Sequence, residues 1–397
     1  MKTPGAILTL NAGSSGVKFA AFQCAVEPSA TLRGTIEELN TAAPHLIAKD
    51  AAGAVLLDRR WPASMAITFE SILVELLTII EDHIGADRLI GVGHRVVHGG
   101  ADHVAPDVVT PTLIAALKAL IPLDPLHMPR NLDAMRALAA ARPALAQVAC
   151  FDTAFHRTQP LEASSFAIPR ALSLASLRRF GFHGLSYEYI AACLKQQAPS
   201  LLRGRLIIAH LGSGASLCAL ANGISIATTT GFSTLDGLMM ATRCGNLDPG
   251  VILYLLRQGR GVDEIEDILF NRSGLLGVSG ISGDIRVLLA SDEQSAREAI
   301  DLFVYRIAIE AGALVSALGG LDGLIFTAGI GQHSPAIRAA VCERLNWIGV
   351  RLDCAANACS APRISASDSA IDVRVIATDE EAMIARHTLA TIQQAAH

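Results

Sequence analysis

Short apolar runs alternate with polar, glycine-containing turns along the whole chain, and this pattern predicts alternating strands and helices. Near the N-terminal end, residues 6–11 and 17–23 are apolar runs that flank a turn of glycine and serine at residues 13–16. Two short apolar runs joined in this way are typical of a β-hairpin. We therefore predict that the chain opens with two paired strands.

A helical pattern follows the opening hairpin. Between residues 67 and 83, leucine and isoleucine recur every three or four positions, so that one face of a helix is apolar. Gly85 stands directly after this run, where a helix commonly ends. The other segments of the first half that periodicity assigns are a strand at 88–97 and helices at 115–120 and 132–141.

The second half repeats the opening pattern. The segments LTLNAGSSGVKFAAF near residue 10 and IIAHLGSGASLCAL near residue 210 share the order apolar strand, polar residue, Gly/Ser turn, apolar strand. A repeat at this separation indicates a duplicated α/β unit, and 397 residues are enough for two domains. The predicted fold class is therefore α/β with two duplicated domains.

Three glycine-containing turns are candidates for anion binding. Two lie in the repeated hairpins, and the third lies in LDGLIFTAGIGQHSPAIRAAV, where an apolar strand runs through glycines into a helix. Glycine lets the backbone approach a phosphate closely, and consecutive amide groups form an anion-binding nest. Three such turns around one cleft would hold a polyphosphate.

The composition excludes several classes of protein. A formal net charge of −5 with 51% hydrophobic residues does not fit a disordered chain, and the short basic runs predict no nucleic-acid or membrane-surface partner. Residues 206–235 carry no charged side chain, but glycines interrupt them, so a membrane span is not expected, nor is a signal peptide. Eight cysteines without a CxxC pair indicate reduced thiols and a cytoplasmic location.

Several familiar catalytic motifs are absent from the sequence. It has no GxxxxGK P-loop, no GxGxxG that opens a helix and no GxSxG nucleophile elbow. His94 and His98 in HRVVH have a spacing that a metal pair can use, but no third ligand lies nearby in the sequence. A strand would place both on one side with Val96, so the structural alternative is two histidines packed in a sheet.

Nine motifs together resemble the acetate, propionate and butyrate kinase family. The match runs from Asn11 to Arg386, in the family's order: NAGSSGVKF, GHRVVHGG, FDTAFH, RRFGFHGLSY, HLGSGAS, GFSTLDGLMMATRCGNLDPG, SGISGDIR, FTAGIGQHS and ATDEEAMIAR. The sequence GFHG, preceded by FDTAFH and followed by GLMMATR, is specific to this family. The resemblance covers nearly the whole chain.

The resemblance implies the fold of the sugar kinase, actin and Hsp70 superfamily: two ribonuclease H-like α/β domains, each with a mixed five-stranded sheet, and an active-site cleft between them. The implied domains are 1–150, with the acyl and phosphoryl side and a joining C-terminal helix at 386–397, and 151–385, for nucleotide binding and dimerisation. The implied reaction is reversible, direct transfer of the ATP γ-phosphoryl group to acetate with Mg²⁺, or Mn²⁺, in a homodimer. Propionate kinase, or a kinase for several short carboxylates, is the alternative.

The resemblance also assigns catalytic residues. Arg95 and Arg243 match the arginines that hold the acyl carboxylate and the transferring phosphoryl group, and a planar guanidinium binds either group with two hydrogen bonds. His183 matches the histidine that hydrogen-bonds the phosphoryl group. Asp152 matches an essential carboxylate whose role stays open among orienting an arginine, binding a metal-bound water and carrying a proton.

Further assignments concern the nucleotide and the metal. Lys18, one of only five lysines, follows the first turn and could reach a terminal phosphate, and Ser14 lies in the turn itself. Asn11 and Glu380 match positions near Mg²⁺, which prefers oxygen ligands, whereas Glu381 is expected to be solvated or to support its neighbour. The implied nucleotide residues are His210, Leu211, Gly212, Ser213, Gly214, Asp284, Ile285, Arg286, Gly329, Ile330, Gly331, Gln332 and His333.

Several positions depart from the family's usual residues. Thr234 stands where a proline commonly lines the acyl pocket beside Val97, and one methylene changes binding by only about 1 to 3 kcal/mol, so acetate and propionate are not distinguished. The departures on the phosphoryl-donor side leave the choice of donor open. They are Gly16 for serine, Ser213 for asparagine, Ala328 for glycine, and Gln332 and His333 for glutamate and asparagine.

Overall fold

The computed structural model describes residues 5–13, 16–38, 43–62, 67–85, 88–173 and 177–395. The chain divides into two compact units. Unit 1 comprises Met1–Ala154 and Asp379–His397, and unit 2 comprises Phe155–Thr378. The first sequence-based boundary, at 150/151, lies four residues before the division at 154/155. The second, at 385/386, lies seven residues after the division at 378/379, so residues 379–385 belong to unit 1 and not to the C-terminal domain.

The helices and strands alternate in the order expected for an α/β protein. The strands are β1 (Ala6–Ala12), β2 (Gly16–Gln23), β3 (Ser29–Glu37), β4 (His45–Asp50), β5 (Val55–Arg60), β6 (Leu89–Val96), β7 (Asp107–Val108), β8 (Ala146–Phe151), β9 (Arg205–Leu211), β10 (Ala215–Ala221), β11 (Ile224–Thr228), β12 (Gly323–Thr327) and β13 (Asp372–Val375). The helices are α1 (Phe69–Ile84), α2 (Pro111–Ala119), α3 (Met128–Ala141), α4 (Leu161–Ser164), α5 (Arg170–Ser173), α6 (Gly184–Gln197), α7 (Pro199–Leu202), α8 (Pro249–Arg257), α9 (Val262–Asn271), α10 (Gly274–Ser279), α11 (Ile285–Leu289), α12 (Gln294–Leu318), α13 (Ala328–His333), α14 (Pro335–Arg344), α15 (Cys354–Ala358) and α16 (Glu380–Ala395). Short 3-10 turns occur at Ile121–Leu123, Ala154–Thr158 and Asn346–Ile348.

Each unit is built on one mixed sheet, and the two sheets share a common arrangement. The sheet of unit 2 has the order β11-β10-β9-β12-β13, and five strands of unit 1 follow the matching order β3-β2-β1-β6-β8. In unit 1, β1 pairs antiparallel with β2 and parallel with β6. In unit 2, β9 pairs antiparallel with β10 and parallel with β12 in the same way. The duplicated α/β fold predicted from the sequence is therefore confirmed.

Unit 1 departs from the expected five-stranded sheet. Its sheet has eight strands, because β4 and β5 extend one edge as an antiparallel hairpin and β7 pairs with β8 at the other edge. The expectation of five strands in each domain is therefore wrong for unit 1. Lys49 and the arginines of β5 make this hairpin polar on one side, so its apolar periodicity is weak in the sequence.

Helix α1 shows why the periodic segment at 67–83 folds as predicted. The hydroxyl of Thr68 accepts a hydrogen bond from Ser71 N at 3.2 Å and so caps the first turn. The Gly85 amide donates to Glu81 O and closes the last turn. The apolar face buries Ile72, Leu73, Leu76, Leu77 and Ile80, and full burial of each such side chain contributes about 1.5–3 kcal/mol.

Helix α16 completes unit 1 from the far end of the chain. It begins at Glu380, six residues before the predicted start of the C-terminal helix at 386, and that boundary is corrected. The helix lies close against the sheet, because β6 has glycines where it passes: a Cβ at Gly93 would collide with the Thr388 hydroxyl and Ile384. Its first turn therefore lies beside the end of β1.

A large buried cluster in unit 2 lies between its sheet and helix α12, and a smaller one includes the side chains of Tyr187 and Ile190 from α6. Apolar side chains of α12, including Phe303, Ile307 and Leu314, pack with Leu217 of β10 and Phe326 of β12. The neighbouring strands are buried over nearly their whole length. Among the residues that the structure describes, no helix combines the length and the apolar character needed to cross a membrane.

Candidate functional site

The residues assigned from the sequence fall into two sets, one in each unit. Unit 1 carries Asn11, Lys18, Arg95, Val97, Asp152 and Glu380. Unit 2 carries the assigned residues between His183 and His333. Ser14 lies outside the described residues.

Arg95 and Asp152 form a buried ion pair in unit 1. Arg95 lies near the end of β6, and Asp152 directly follows the neighbouring parallel strand β8. The guanidinium donates from Nε at 3.0 Å and from Nη2 at 2.5 Å to Oδ2 of Asp152, and from Nη1 to Ala12 O at 3.3 Å. The Asp152 side chain is 1% exposed and that of Arg95 is 12% exposed. Asp152 therefore contacts the arginine through two hydrogen bonds to a single carboxylate oxygen.

The charges around Arg95 favour its ionised form. Burial alone would lower the pKa of the guanidinium, but the negative charges of Asp152, Glu380 and Asp124 outweigh this effect and raise the pKa. Arg95 thus presents a permanent positive charge from a partly dry position. Such a charge suits the binding of a carboxylate or a phosphoryl group.

A carboxylate pair lies beside the end of β1. Asn11 donates from Nδ2 to Glu380 Oε2 at 2.9 Å and to Glu381 Oε1 at 3.1 Å. Lys18 is the direct cross-strand partner of Asn11 in β2, so that both side chains lie on the same face of the sheet. Asn11, Lys18 and Glu380, which the sequence assigned separately, are therefore neighbours.

Glu381 is more involved in this cluster than the sequence indicated. Its side chain is only 13% exposed. Burial, followed by the charge of Glu380, raises the pKa of Glu381, while Lys18 and Asn11 act in the opposite direction. The alternative that Glu381 is solvated is therefore wrong, and it supports its neighbours instead. A divalent cation would offset the repulsion between the two carboxylates.

Both histidines of HRVVH are buried, but only His94 lies in strand β6; His98 follows the end of the strand, so the expectation that both are sheet residues is wrong for His98. His94 Nε2 lies 2.8 Å from Gln147 Oε1, and burial lowers the pKa of His94 to about 4. Nδ1 of His98 accepts from Gly100 N at 2.8 Å. Within the described ranges, no group of three or more metal-ligating side chains occurs. Val97 between them is fully buried, and its amide donates to Asn131 Oδ1 at 3.1 Å.

In unit 2, His183 occupies a left-handed backbone conformation at the start of α6. Its φ of 58° and ψ of 25° are uncommon for a side chain with a Cβ. The preceding residue is held on both sides: Phe182 N donates to Thr230 Oγ1 at 3.0 Å, and Phe182 O lies 2.9 Å from Nε2 of the buried His156. Burial lowers the pKa of His156 to about 4, so the ring is neutral.

His183 and His210 lie face to face. Their ring centroids are 4.2 Å apart with an angle of 11° between the planes. Nδ1 of His183 lies 2.7 Å from Ser216 Oγ, and Nδ1 of His210 lies 2.8 Å from Ser186 Oγ. His210 and Ser216 are direct cross-strand partners of β9 and β10. The repeated hairpin thus brings the two histidines together.

The turn between β9 and β10 is the second glycine turn. Gly212 N donates to Gly214 O at 3.0 Å, and Ser213 O accepts from Ala241 N at 3.1 Å. A Cβ at Gly214 would lie 3.1 Å from His183 Nε2, so glycine permits the imidazole to approach the turn. Leu211 is fully buried, and only its backbone is available to a ligand.

Arg243 and Thr234 lie together in unit 2. Arg243 Nη1 donates to Thr234 O at 3.2 Å and lies 3.9 Å from the sulfur of Met240. The segment that carries Arg243 is bonded to the glycine turn through the contact between Ala241 N and Ser213 O. The structure therefore places Arg243 beside both the assigned acyl residue and an assigned phosphate turn.

The remaining nucleotide assignments differ in exposure. Arg286 has an 87% exposed side chain that pairs with Asp284 at 2.5 Å, and this hydrogen bond lowers the pKa of Asp284 to about 2. Between them, Ile285 is buried in the core of unit 2, as is Ile330 of α13. Since these two side chains are buried, only their backbone groups can contact a ligand, and the assignment of the two residues to the nucleotide stays a prediction.

The third glycine turn is a short helix in the structure. Gly329–His333 belong to α13, which begins at Ala328 with a φ of 62°. With its amide oxygen facing two donors, Gln332 accepts from Ala328 N and Thr378 N, both at 3.1 Å. The buried guanidinium of Arg338 donates to Gly331 O at 2.9 Å and Gln332 O at 2.8 Å. The segment is thus fixed from both sides.

Several residues of this site were not found from the sequence. Arg130 donates to Gly13 O at 3.2 Å, and Asp124 holds the imidazole of His127 at 2.8 Å. Ser216 and Tyr187 join the environment of His183 through a contact of 2.5 Å between their oxygens. Serine and tyrosine occur everywhere in proteins, so only the register of β9 with β10 and the first turn of α6 reveal this contact.

Comparisons with known proteins identify the family. A model of the acetokinase family matches residues 6–386. A protein named acetate kinase from Rhodopseudomonas palustris is 52% identical over 388 residues, which cover 96% of this chain and 97% of the relative. The solved structure of a propionate kinase from Francisella tularensis has a TM-score of 0.90 at 32% identity and covers 97% of this chain and 99% of its own. For an acetate kinase structure from Porphyromonas gingivalis, the TM-score is 0.86 at 32% identity, with 98% and 100% covered. The resemblance found in the sequence is thereby confirmed, and the chain belongs to the acetokinase family.

Proposed function

We propose that this protein is an acetate kinase, which transfers the γ-phosphoryl group of ATP to acetate and gives acetyl phosphate and ADP, reversibly. The observation that carries this proposal is the relative named acetate kinase, 52% identical over nearly the whole length of both chains. The solved acetate and propionate kinases are each 32% identical to this chain, so the preference for acetate rests on the relative named acetate kinase and not on the solved structures. The geometry of the arginines supports the same chemistry.

The reaction calls for charge neutralisation rather than a strong base. A carboxylate is already a nucleophile, and the task is to align its oxygen with the phosphorus and to stabilise the charge on the phosphoryl oxygens. Arg95 and Arg243 are the residues that we assign to this task. Asp152 keeps the fork of Arg95 fixed through two hydrogen bonds, so of its three candidate roles we favour orienting the arginine.

The other assigned residues contact the phosphoryl group or shape the acyl pocket. His183 donates a hydrogen bond to the phosphoryl group in flight, and Lys18 supplies a mobile ammonium to the same group. Thr234 and Val97 shape the acyl pocket, Thr234 through its position beside Arg243. Val97 is fully buried, so its contribution is to the shape of the pocket wall.

The nucleotide residues lie on the three glycine turns and on α11. The 210–214 turn and the 329–333 helix are neighbours, since a Cβ at Gly212 would lie 3.6 Å from the Cβ of Ala328 and 3.9 Å from Gly329 N. The backbone amides of glycine-containing turns suit phosphate binding. Arg286 and Asp284, which are exposed and mutually oriented, suit the ribose and the base.

Mg²⁺ fits the cluster at the end of β1. The two carboxylates are hard ligands, and magnesium takes a few such ligands and keeps several waters. Asn11 and Glu380 would hold the ion, with Glu381 beside them. When bound, the ion would neutralise charge on the phosphate oxygens.

The partners that we propose are small carboxylates and nucleotides, and a second copy of this chain. Helix α8 has no buried residue, and its apolar residues Val251, Leu253 and Tyr254 are exposed. Exposed apolar groups also lie on α12, where Tyr305 is 45% exposed. Such faces are typical of interfaces. We propose a cytoplasmic location, which agrees with eight free cysteines.

Trapping of the acyl phosphate with hydroxylamine tests the proposal. Acetate, propionate and butyrate are each supplied with ATP, GTP or pyrophosphate, and the acyl hydroxamate is measured. We expect the largest kcat/KM for acetate with ATP, and a value about tenfold lower for propionate because one methylene must be accommodated. A larger kcat/KM for propionate would favour the alternative, and no hydroxamate with any pair would contradict both.

A further inference from the structure

His183 is linked to a buried pair of hydroxyl groups that the reaction chemistry does not explain. Its Nδ1 lies 2.7 Å from Ser216 Oγ, and Ser216 Oγ lies 2.5 Å from the hydroxyl of Tyr187. Ser216 and Tyr187 are both completely buried. Three groups from three different elements, the loop before α6, β10 and α6 itself, thus form one chain of hydrogen bonds.

The chemistry of this chain sets the direction of its hydrogen bonds. A phenol is a stronger acid than an aliphatic alcohol, so in the short contact the tyrosine hydroxyl donates and Ser216 Oγ accepts. The single proton of Ser216 is then directed to Nδ1 of His183. A ring nitrogen that accepts a hydrogen bond carries no proton, and in a neutral imidazole the proton is then on the other nitrogen.

The surroundings of the ring favour its neutral form. His183 is stacked on His210 with centroids 4.2 Å apart, and two positive charges at this distance would repel each other. The opposite edge of the ring faces the glycine turn, since a Cβ at Gly214 would lie 3.1 Å from Nε2. The nitrogen that bears the proton is therefore the one directed to the assigned phosphate turn.

We propose that Ser216 and Tyr187 are positioning residues that fix His183 as the tautomer with its proton on Nε2, so that this N–H donates to an oxygen of the transferring phosphoryl group. The donor role of His183 rests on the proposed function, but the tautomer does not. No proton is transferred, because the histidine remains a donor before and after the phosphoryl group moves. Its hydrogen bond stabilises the negative charge of the phosphoryl group.

The tautomer can be measured directly in the free protein. With ¹⁵N-labelled histidine and long-range ¹H–¹⁵N correlation spectra at pH 8, the His183 signals are assigned by their loss in His183→Gln. We expect a neutral ring with an unprotonated Nδ1 and a protonated Nε2. A proton on Nδ1 would overturn the proposal whatever the activity of the protein.

Kinetics separate positioning from a merely structural role. In Ser216→Ala the ring is free to exchange tautomers, and we expect kcat to fall about tenfold or more while KM for acetate and ATP changes little. Tyr187→Phe keeps the Ser216 hydroxyl and should lose less. The matched control is Ser164→Ala, which removes a buried hydroxyl that donates only to main-chain carbonyls and should leave kcat unchanged.

The outcomes distinguish this inference from the proposed function. A normal kcat in folded Ser216→Ala, or a larger loss in Tyr187→Phe than in Ser216→Ala, would overturn the positioning roles. If the wild-type protein forms no acetyl phosphate, the proposed function fails, while the tautomer still stands or falls by the NMR spectra. Thermal unfolding of each variant shows whether a loss of kcat reflects loss of the fold.

Discussion

The interaction of Asp152 with Arg95 shows how one residue can fix the geometry of another. Its carboxylate is almost fully buried, and it accepts two hydrogen bonds from a guanidinium that is itself mostly buried. The charge of each group is stabilised chiefly by the other, because little water reaches them. Removal of either charge leaves its partner without this support.

Asp152→Asn tests this dependence. We expect the free energy of unfolding to fall by about 3 kcal/mol, because the amide leaves a buried guanidinium without its carboxylate. The matched control is Asp322→Asn, since Asp322 also accepts hydrogen bonds from an arginine, Arg205, but its side chain is 40% exposed. The control should lose less than about 1 kcal/mol in urea unfolding. Equal losses in the two variants would contradict this account.

At the scale of the elements, the duplicated hairpin explains how the two sets of site residues arise. Asn11 and Lys18 are cross-strand partners in unit 1, and His210 and Ser216 are cross-strand partners in unit 2. The same position of the same element thus carries an asparagine and a lysine in one unit. In the other unit it carries a histidine that stacks on His183 and a serine whose hydroxyl contacts Nδ1 of His183.

Much of the fold could be predicted because it depends on local signals. The apolar period of α1 and the Gly/Ser turn after β1 are visible within a few residues. Neither β7, which is the edge strand of the unit 1 sheet, nor the early start of α16 at Glu380 was predictable. Neither segment has a distinctive local pattern. Contacts between distant segments, such as Asn11 with Glu381, depend on tertiary packing that no short window of sequence contains.

Ala328→Gly tests the strained start of α13. Ala328 has a φ of 62°, and a left-handed conformation costs a residue with a Cβ roughly 1–2 kcal/mol. We expect the variant to be at least as stable as the parent, because relief of this strain offsets the lost methyl burial and the greater freedom of glycine when unfolded.

The control for this prediction is the same change in a regular helix. Ala339→Gly in α14 should lower the free energy of unfolding by about 1 kcal/mol. Urea titrations of both variants give the comparison. A loss in Ala328→Gly as large as in Ala339→Gly would mean that the backbone at residue 328 is not strained.

At the scale of the whole molecule, each unit carries a buried neutral histidine that makes its stability depend on pH. Burial lowers the pKa of His94 and His98 in unit 1 and of His156 in unit 2 to about 4. Unfolding restores a pKa of about 6.5. Between these values the unfolded chain binds a proton that the folded chain does not, so acid favours unfolding.

We therefore expect the contribution of these histidines to the free energy of unfolding to be constant above pH 6.5. It should fall as the pH decreases from 6.5 towards 4. Each histidine contributes about 1.4 kcal/mol per pH unit within that window. Urea unfolding between pH 7 and pH 5 measures the slope, and His94→Gln should remove the share of His94 while that of His98 remains. An unchanged urea midpoint over this range would contradict the prediction.

The proposed dimer is also a property of the whole molecule. Charged residues placed on the apolar faces of α8 and α12 should separate the subunits, because an unpaired charge is costly in a buried interface. Analytical ultracentrifugation of Tyr254→Asp with Tyr305→Asp should give the mass of one chain, whereas the wild-type protein gives twice that mass. Leu161→Asp, which changes an exposed leucine on α4, should remain dimeric. A wild-type protein that sediments as a single chain would contradict the proposal.

The proposed acetate kinase activity and the role of Arg243 are tested most directly by the formation of acetyl phosphate from [γ-³²P]ATP and acetate. The wild-type protein is compared with Arg243→Ala and Arg260→Ala. Arg260 is the matched control, since it pairs with Glu264 on the exposed surface of α9. We predict labelled acetyl phosphate from the wild-type protein and from Arg260→Ala. With Arg243→Ala we predict a rate at least about 100-fold lower, because the positive charge of the guanidinium no longer stabilises the phosphoryl group. The absence of labelled acetyl phosphate with the wild-type protein, or an equal rate with Arg243→Ala, would contradict the account.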